Sequence, residues 1–246
     1  MTAVLYGENV SKSFGGLVAV DGVDFEIETG EVVGLIGPNG AGKSTLFNCI
    51  TSHASPDSGT IVFDGERITG EPEHGIAQRG IVRLFQETRV YGEMTLYENL
   101  LVSVDHSEES TLDVFRGYPE VVHDRAEELL REIDLWEMRN EEADDLSFGQ
   151  QKLLEFAMTL MAQPDVLLLD EPASGINPTM IQTVLDYLDR ITSEREITLF
   201  VIEHNMDVIM DISERLYVMD NGTVLAEGTP SEIQQSEEVK RAYFEG

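Results

Sequence analysis

The sequence predicts an α/β protein with a mostly parallel core sheet, a small antiparallel sheet at its N-terminal end and a helical subdomain inserted into the core. Three observations carry this. Four short, almost wholly apolar runs, Val32 to Ile36, Ile81 to Phe85, Val166 to Leu169 and Ile197 to Ile202, have the character of strands buried on both faces. Polar–apolar alternation, the mark of strands with one wet face, is concentrated in roughly the first 65 residues. From about Thr95 to Met161 the apolar period is helical.

Taken in order, Val4 to Phe14, Val23 to Glu28 and Gly59 to Asp64 read as antiparallel strands with turns at Asp21-Gly22 and Asp64-Gly65. The inserted segment, residues 91 to 161, carries Val122, Ala126, Leu129, Leu130 and Ile133 on one stripe, with residues 105 to 119 as its loop. A second helical stripe follows at Ile181, Val184, Leu185, Leu188 and Ile191, with Asn177 as N-cap and Pro178 in the first turn. Arg215 to Met219 and Thr223 to Ala226 flank Asn221-Gly222 as a hairpin. Helices between apolar strands imply right-handed crossovers, no internal repeat or low-complexity stretch occurs, and residues 1 to 246 are expected to form a single domain.

Composition narrows the classes of function. Sixteen Lys and Arg stand against 47 Asp and Glu, a formal charge of −31, so nucleic acid is not an expected partner. The acids are spread along the whole chain and only four lysines occur, Lys12, Lys43, Lys152 and Lys240. That pattern fits a halophilic protein, solvated in concentrated salt where self-repulsion is screened. The single Cys49 excludes an intrachain disulfide, and no apolar run reaches the length of a membrane span.

Two motifs carry the chemistry. Gly37-Pro38-Asn39-Gly40-Ala41-Gly42-Lys43-Ser44 fills the G-x-x-x-x-G-K-[ST] pattern between an apolar strand and the helical Thr45-Leu46-Phe47. Glycines let successive N–H groups turn inward around an anion, Lys43 reaches the β- and γ-phosphates, and the Ser44 hydroxyl faces Mg²⁺. The run Val166 to Leu169 ends in Asp170-Glu171. There Asp170 can hold the magnesium's waters and Glu171 can orient or deprotonate an attacking water. The alternative, turn chemistry before Pro172, loses weight beside a phosphate loop.

Leu146-Ser147-Phe148-Gly149-Gln150 opens a helix running Gln151 to Met161, about 20 residues before Asp170. A serine hydroxyl, a glycine amide and a helix N-terminus form a second anion site. Together with the two motifs above, it resembles the signature of ABC-type ATPases, and the resemblance covers essentially the whole chain. It implies ATP and Mg²⁺ sandwiched between two ATPase subunits, as homodimer or heterodimer. Ser147, Gly149 and Gln150 of one copy would face the phosphate loop of the other. It further implies that Gln86 contacts the metal and attacking water, that His204 contacts the γ-phosphate, and that Phe14 stacks on adenine with Val20 packed on the same ring. Phe148 stands where the family usually has Gly, and Asn177 where it usually has Asp.

The runs Phe14 to Val20, Val82 to Gln86, Glu93 to Leu101 and Val239 to Phe244 look like ATP-binding subunits of branched-chain amino-acid importers, a pattern shared with urea and short-chain amide importers. The resemblance implies a peripheral protein on the cytoplasmic face of the membrane. Separate transmembrane permease subunits, docked on Val90, Tyr91, Met94 and Tyr97, would be its partners, and an extracytoplasmic solute-binding protein would act on it indirectly. Those four residues could equally pack the helical subdomain. Two other readings stay open at this level: a soluble ABC ATPase of iron–sulfur assembly, and a nucleotide-gated module without turnover.

Overall fold

The computed structural model describes residues 3–86, 88–104 and 118–244. Residues 105–117, most of the loop read from the sequence, lie outside them. The chain divides into two compact units, one comprising residues 1–86, 165–174 and 188–246, the other residues 87–164 and 175–187.

The first unit holds two sheets. Strands β1 (Ala3–Phe14), β2 (Leu17–Glu28), β4 (Ser58–Phe63) and β5 (Glu66–Arg67) form an antiparallel sheet in the order β2-β1-β4-β5. The second sheet runs β10-β9-β3-β8-β7-β6, from β3 (Val32–Ile36), β6 (Ile81–Leu84), β7 (Val166–Asp170), β8 (Thr198–Ile202), β9 (Arg215–Asp220) and β10 (Thr223–Gly228). Five of its strands are mutually parallel, and only β10 pairs antiparallel. β3 and β8 are buried at every position, as continuous apolar runs require. Helix α1 (Lys43–Ile50) carries Phe47 into the core, 5.0 Å from Phe200 of β8, and Phe200 lies 6.0 Å from Phe25 of β2. Helix α2 (Glu73–Gln78) leads into β6.

The expected Asp64-Gly65 and Asn221-Gly222 turns are present. Both residues of each pair have positive φ, as a two-residue turn between right-twisted strands demands. The Asp21-Gly22 reading is corrected. The turn between β1 and β2 is Gly15-Gly16, at φ +55° and +91°, while Asp21 and Gly22 lie inside β2. Between the pairs Val10↔Val23 and Lys12↔Val20, β2 carries one residue more than β1, a bulge that Gly22 accommodates at φ +61°. A bulge and a turn ask for the same residue types, so composition alone could not separate them.

The second unit packs α3 (Leu96–Leu101), α4 (Glu120–Glu132), α5 (Phe148–Leu160) and the first half of α6 (Pro178–Arg195). Ala126, Leu129 and Leu130 of α4 are buried, as the stripe predicts. Helix α5 starts at Phe148 rather than Gln151, because Ser147 caps it through a reciprocal pair with Gln150. Asn99 of α3 is wholly buried; its amide donates to the carbonyls of Tyr91, Met94 and Thr95 and its Oδ1 accepts from Tyr91 N–H, fixing the loop before that helix. Helices α7 (Met206–Ile212), α8 (Pro230–Gln235) and α9 (Glu237–Phe244) complete the first unit.

Candidate functional site

The strand order places four chain segments side by side. β3, β8, β7 and β6 are successive neighbours and parallel, so the loops leaving their carboxyl ends emerge along one edge of the sheet. Those loops carry, respectively, residues 37–42, His204, Glu171 and Gln86.

After β3 the chain turns tightly through Gly37, Gly40 and Gly42, all at positive φ. A side chain at Gly37 would collide with the Met219 carbonyl and one at Gly42 with the Ala19 carbonyl, so glycine is required by contact as well as by φ. The loop is braced from behind, where Gly222 N–H donates to the Ala41 carbonyl at 3.0 Å and Asp21 N–H to the Gly222 carbonyl at 2.8 Å. Gly42 caps α1 without a side chain, which leaves the first-turn N–H groups of Lys43, Ser44 and Thr45 for an anion. Pro38, Asn39 and Gly40 form the outer rim, while Ala41 is buried. The Lys43 ammonium is buried and donates to the carbonyls of Gly37 at 2.6 Å and Pro38 at 3.1 Å. Burial pushes its pKa down, and the charges of Glu171 and Asp170 oppose that shift.

Glu171 sits one residue past β7 at φ +52°, a left-handed conformation unusual outside glycine. Its N–H donates to the Ile202 carbonyl, and its side chain is held from both sides. Gln86 Nε2 donates to one carboxylate oxygen at 2.8 Å, and His204 Nε2 lies 3.0 Å from the other. The structure therefore brings Glu171 and Gln86, expected at the attacking water, together with His204, expected at the γ-phosphate.

Asp170 is not free. Its Oδ2 accepts from the Arg83 guanidinium at 2.6 Å in an almost buried pair. Arg83, a cation in an otherwise apolar strand, and Glu203, a carboxylate ending β8, were not among the expected site residues. Glu203 is buried and accepts from the N–H groups of Ala173, His204 and Asn205, tying the loop after Glu171 to the base of His204. The available signal was each residue's charge inside or at the end of a buried run.

Among the described residues no group of three or more His, Cys, Asp or Glu is arranged to hold a metal by itself. Ser44, Gln86 and Asp170 instead supply hard oxygen donors of the kind Mg²⁺ takes alongside phosphate oxygens.

Phe14, at the β1–β2 turn, is half exposed, and so are Val18 and, more fully, Leu17; Lys12 Nζ stands 5.3 Å from the Phe14 ring centre. Val20 is corrected. It is completely buried in the core and offers no surface to a base.

In the second unit the Ser147 hydroxyl donates to Gln150 Oε1 at 2.7 Å, and Gln150 Nε2 reaches Met138 Sδ at 3.9 Å. Gln150 thus serves the helix cap in this state. Gly149 faces Met180, whose side chain leaves no space for a Cβ. The Phe148 ring, 44% exposed, rests on Gly175, and Asn177 Oδ1 accepts from Met180 N–H as the expected cap of α6. Tyr91 and Met94 are exposed, whereas Tyr97 bonds His123 and packs edge-on against Trp136. The apolar patch near residue 91 is consequently smaller than the sequence suggests.

The chain is similar in sequence and fold to known proteins. Residues 20–174 match the ABC transporter family model, and residues 223–244 match that of the branched-chain amino acid ATP-binding cassette transporter. The chain is 41% identical, over 98% of its length and 97% of the relative's, to the high-affinity branched-chain amino acid transport ATP-binding protein BraF of Pseudomonas aeruginosa. The crystal structure of the ADP conformation of MJ1267, an ATP-binding cassette of an ABC transporter, superposes with TM-score 0.89 at 33% identity and covers both chains completely. A dimeric post-hydrolysis structure of the cassette MJ0796, bound to ADP and Pi, gives TM-score 0.75 at 25% identity over 92% of this chain and 98% of that one. With a phosphate loop, an acid-ended strand of the same sheet and a serine-capped signature helix in one chain, this protein belongs to the ABC transporter family as an ATP-binding cassette.

Proposed function

We propose that residues 1 to 246 form one nucleotide-binding domain that binds and hydrolyses MgATP and drives uptake of branched-chain amino acids through separate membrane subunits. The observation that carries the hydrolytic part is the Glu171 carboxylate, held between Gln86 Nε2 and His204 Nε2 on the edge that carries the phosphate loop. A carboxylate fixed by two side chains is oriented as a base, where a turn residue would be left to solvent.

Lys43 and the first-turn N–H groups of Ser44 and Thr45 bind the β- and γ-phosphates, and Phe14 stacks on the adenine. Ser44, Gln86 and Asp170 would hold the metal and its waters, and the metal would neutralise phosphate charge. Glu171 takes the proton of the attacking water while Gln86 and His204 hold the carboxylate in place. His204 is half exposed and available to the γ-phosphate. Ser147 and Gly149 grip the triphosphate bound to a second ATPase subunit, and the ATP-bound pair closes because ATP has higher affinity for the closed state. The likeness to a dimeric cassette supports this pairing. The solute is inferred from BraF and from the C-terminal match. Among the described residues no helix is long and apolar enough to cross a membrane, which agrees with a peripheral subunit docked through Tyr91 and Met94.

The test is Glu171→Gln. The variant should bind ATP and accumulate as a nucleotide-dependent dimer by light scattering, with ATP turnover reduced about 100-fold or more, the scale of a lost general base. Turnover equal to wild type would remove Glu171 as the base, and a wild type that binds without turnover would leave only a nucleotide-gated module.

A further inference from the structure

Arg83 is placed where it can govern the metal-binding geometry, a role for which nothing in the sequence motifs accounts. In the β6–β7 register Arg83 stands opposite Leu168, and Asp170 lies two residues further along the same face of β7. The guanidinium spans that offset and donates to Asp170 Oδ2 at 2.6 Å. Its other terminal nitrogen donates to Asn48 Oδ1 on α1, also at 2.6 Å. Asn48 follows Ser44 by four residues, so the two share one face of the helix, a single turn apart. The Arg83 side chain is 6% exposed, and its guanidinium lies 5.6 Å from the Phe47 ring centre and 4.8 Å from that of Phe85. A planar fork clamped by two rings and two acceptors has little freedom to leave when charge enters the site.

We propose that Arg83 is a positioning residue which sets the Asp170 carboxylate against the Ser44 hydroxyl, and so tunes the affinity for the divalent cation that accompanies ATP. The inference rests on the metal assignment made above. Arg83 takes one carboxylate oxygen of Asp170 and leaves the other for the metal's hydration shell. Its bond to Asn48 fixes where that carboxylate stands relative to the helix that carries Ser44. Groups behind a metal ligand commonly change metal affinity by about 10- to 100-fold.

The experiment measures binding of a fluorescent ATP analogue as Mg²⁺ is titrated, with an EDTA control, in wild type, Arg83→Met, Arg83→Lys and Asn48→Ala. Arg83→Met should raise the half-saturating Mg²⁺ concentration about 10-fold or more and leave binding in EDTA unchanged. Arg83→Lys, which keeps the charge but not the fork, should fall between Met and wild type. Asn48→Ala should shift the requirement in the same direction by less. A purely structural role would lower nucleotide affinity equally with and without Mg²⁺, and that result overturns the proposal, as does an unchanged Mg²⁺ requirement. Should Arg83→Met fail to fold, Asn48→Ala decides by the same two criteria. A wild type that binds no ATP, or binds it identically with and without Mg²⁺, would refute the parent function instead.

Discussion

Glu203 shows how much of the site depends on a buried residue bonded, among the described residues, only to backbone N–H groups. Its two oxygens accept three backbone N–H groups, from Ala173, His204 and Asn205, in a buried setting. A glutamine there would place a donor against at least one N–H group and remove the charge that strengthens every bond. Glu203→Gln should therefore cost about 1–3 kcal/mol of stability, and turnover should fall more than ATP affinity does. Denaturant melts and ATP titrations check both. Cys49 gives a simpler prediction. Burial pushes its thiol up to about 11, so at pH 8 about one in a thousand is thiolate. Labelling with a thiol reagent should be at least about 100-fold slower in native than in unfolded protein, and comparable rates would show the α1 core to be open. At this scale the phosphate-loop residues were legible because motif and φ requirement coincide at Gly37, Gly40 and Gly42. Arg83 and Glu203 were not, because a charge in a buried run has no meaning until its distant partner is in place: Asn48, 35 residues from Arg83, and Ala173, 30 residues from Glu203.

At the scale of elements, α5 is held by an ion pair inside the helical unit. Lys152 Nζ donates to Glu155 Oε2 at 2.9 Å, with 1% and 8% of the two side chains exposed, and Glu155 Oε1 accepts from Arg89 N–H. Burial raises the Glu155 pKa, and the neighbouring Lys152 charge opposes the shift. The elevated pKa means that the folded state favours the protonated acid more than the unfolded chain does. This group therefore adds stability as pH falls through its raised value and subtracts it above. Lys152→Met strands the carboxylate and should cost about 3–5 kcal/mol at pH 7, with less loss near pH 5. Adding Glu155→Gln should recover part of the loss, and equal melts at both pH values would argue against the pair. The stripes of α4 and α6 were readable from period alone, since each helix buries one face. Helix α5 begins three residues before Gln151 because Ser147, part of the signature motif, also closes a capping box with Gln150. Likewise Asp21-Gly22 satisfies a bulge as readily as a turn.

For the molecule as a whole, a net formal charge of −31 at pH 7 must be tolerated by one folded chain. Raising KCl from 0.1 to 2 M shortens the screening length from about 10 Å to about 2 Å, so the melting temperature should climb by several degrees. A flat or falling melting curve would show that the acids serve some purpose other than solvation in salt. The two sheet types, the phosphate loop, the acid-ended strand and the kinship with transport cassettes can all be read along the chain. Each of these is written in local period, in residue spacing or in a contiguous motif. It takes the folded chain to show that Glu171 lies between Gln86 and His204, that Val20 belongs to the core, and that Arg83 joins Asp170 to the helix of Ser44. Those facts depend on which strands are neighbours and in what register, and strand order is set by packing over long sequence separations that no local pattern records.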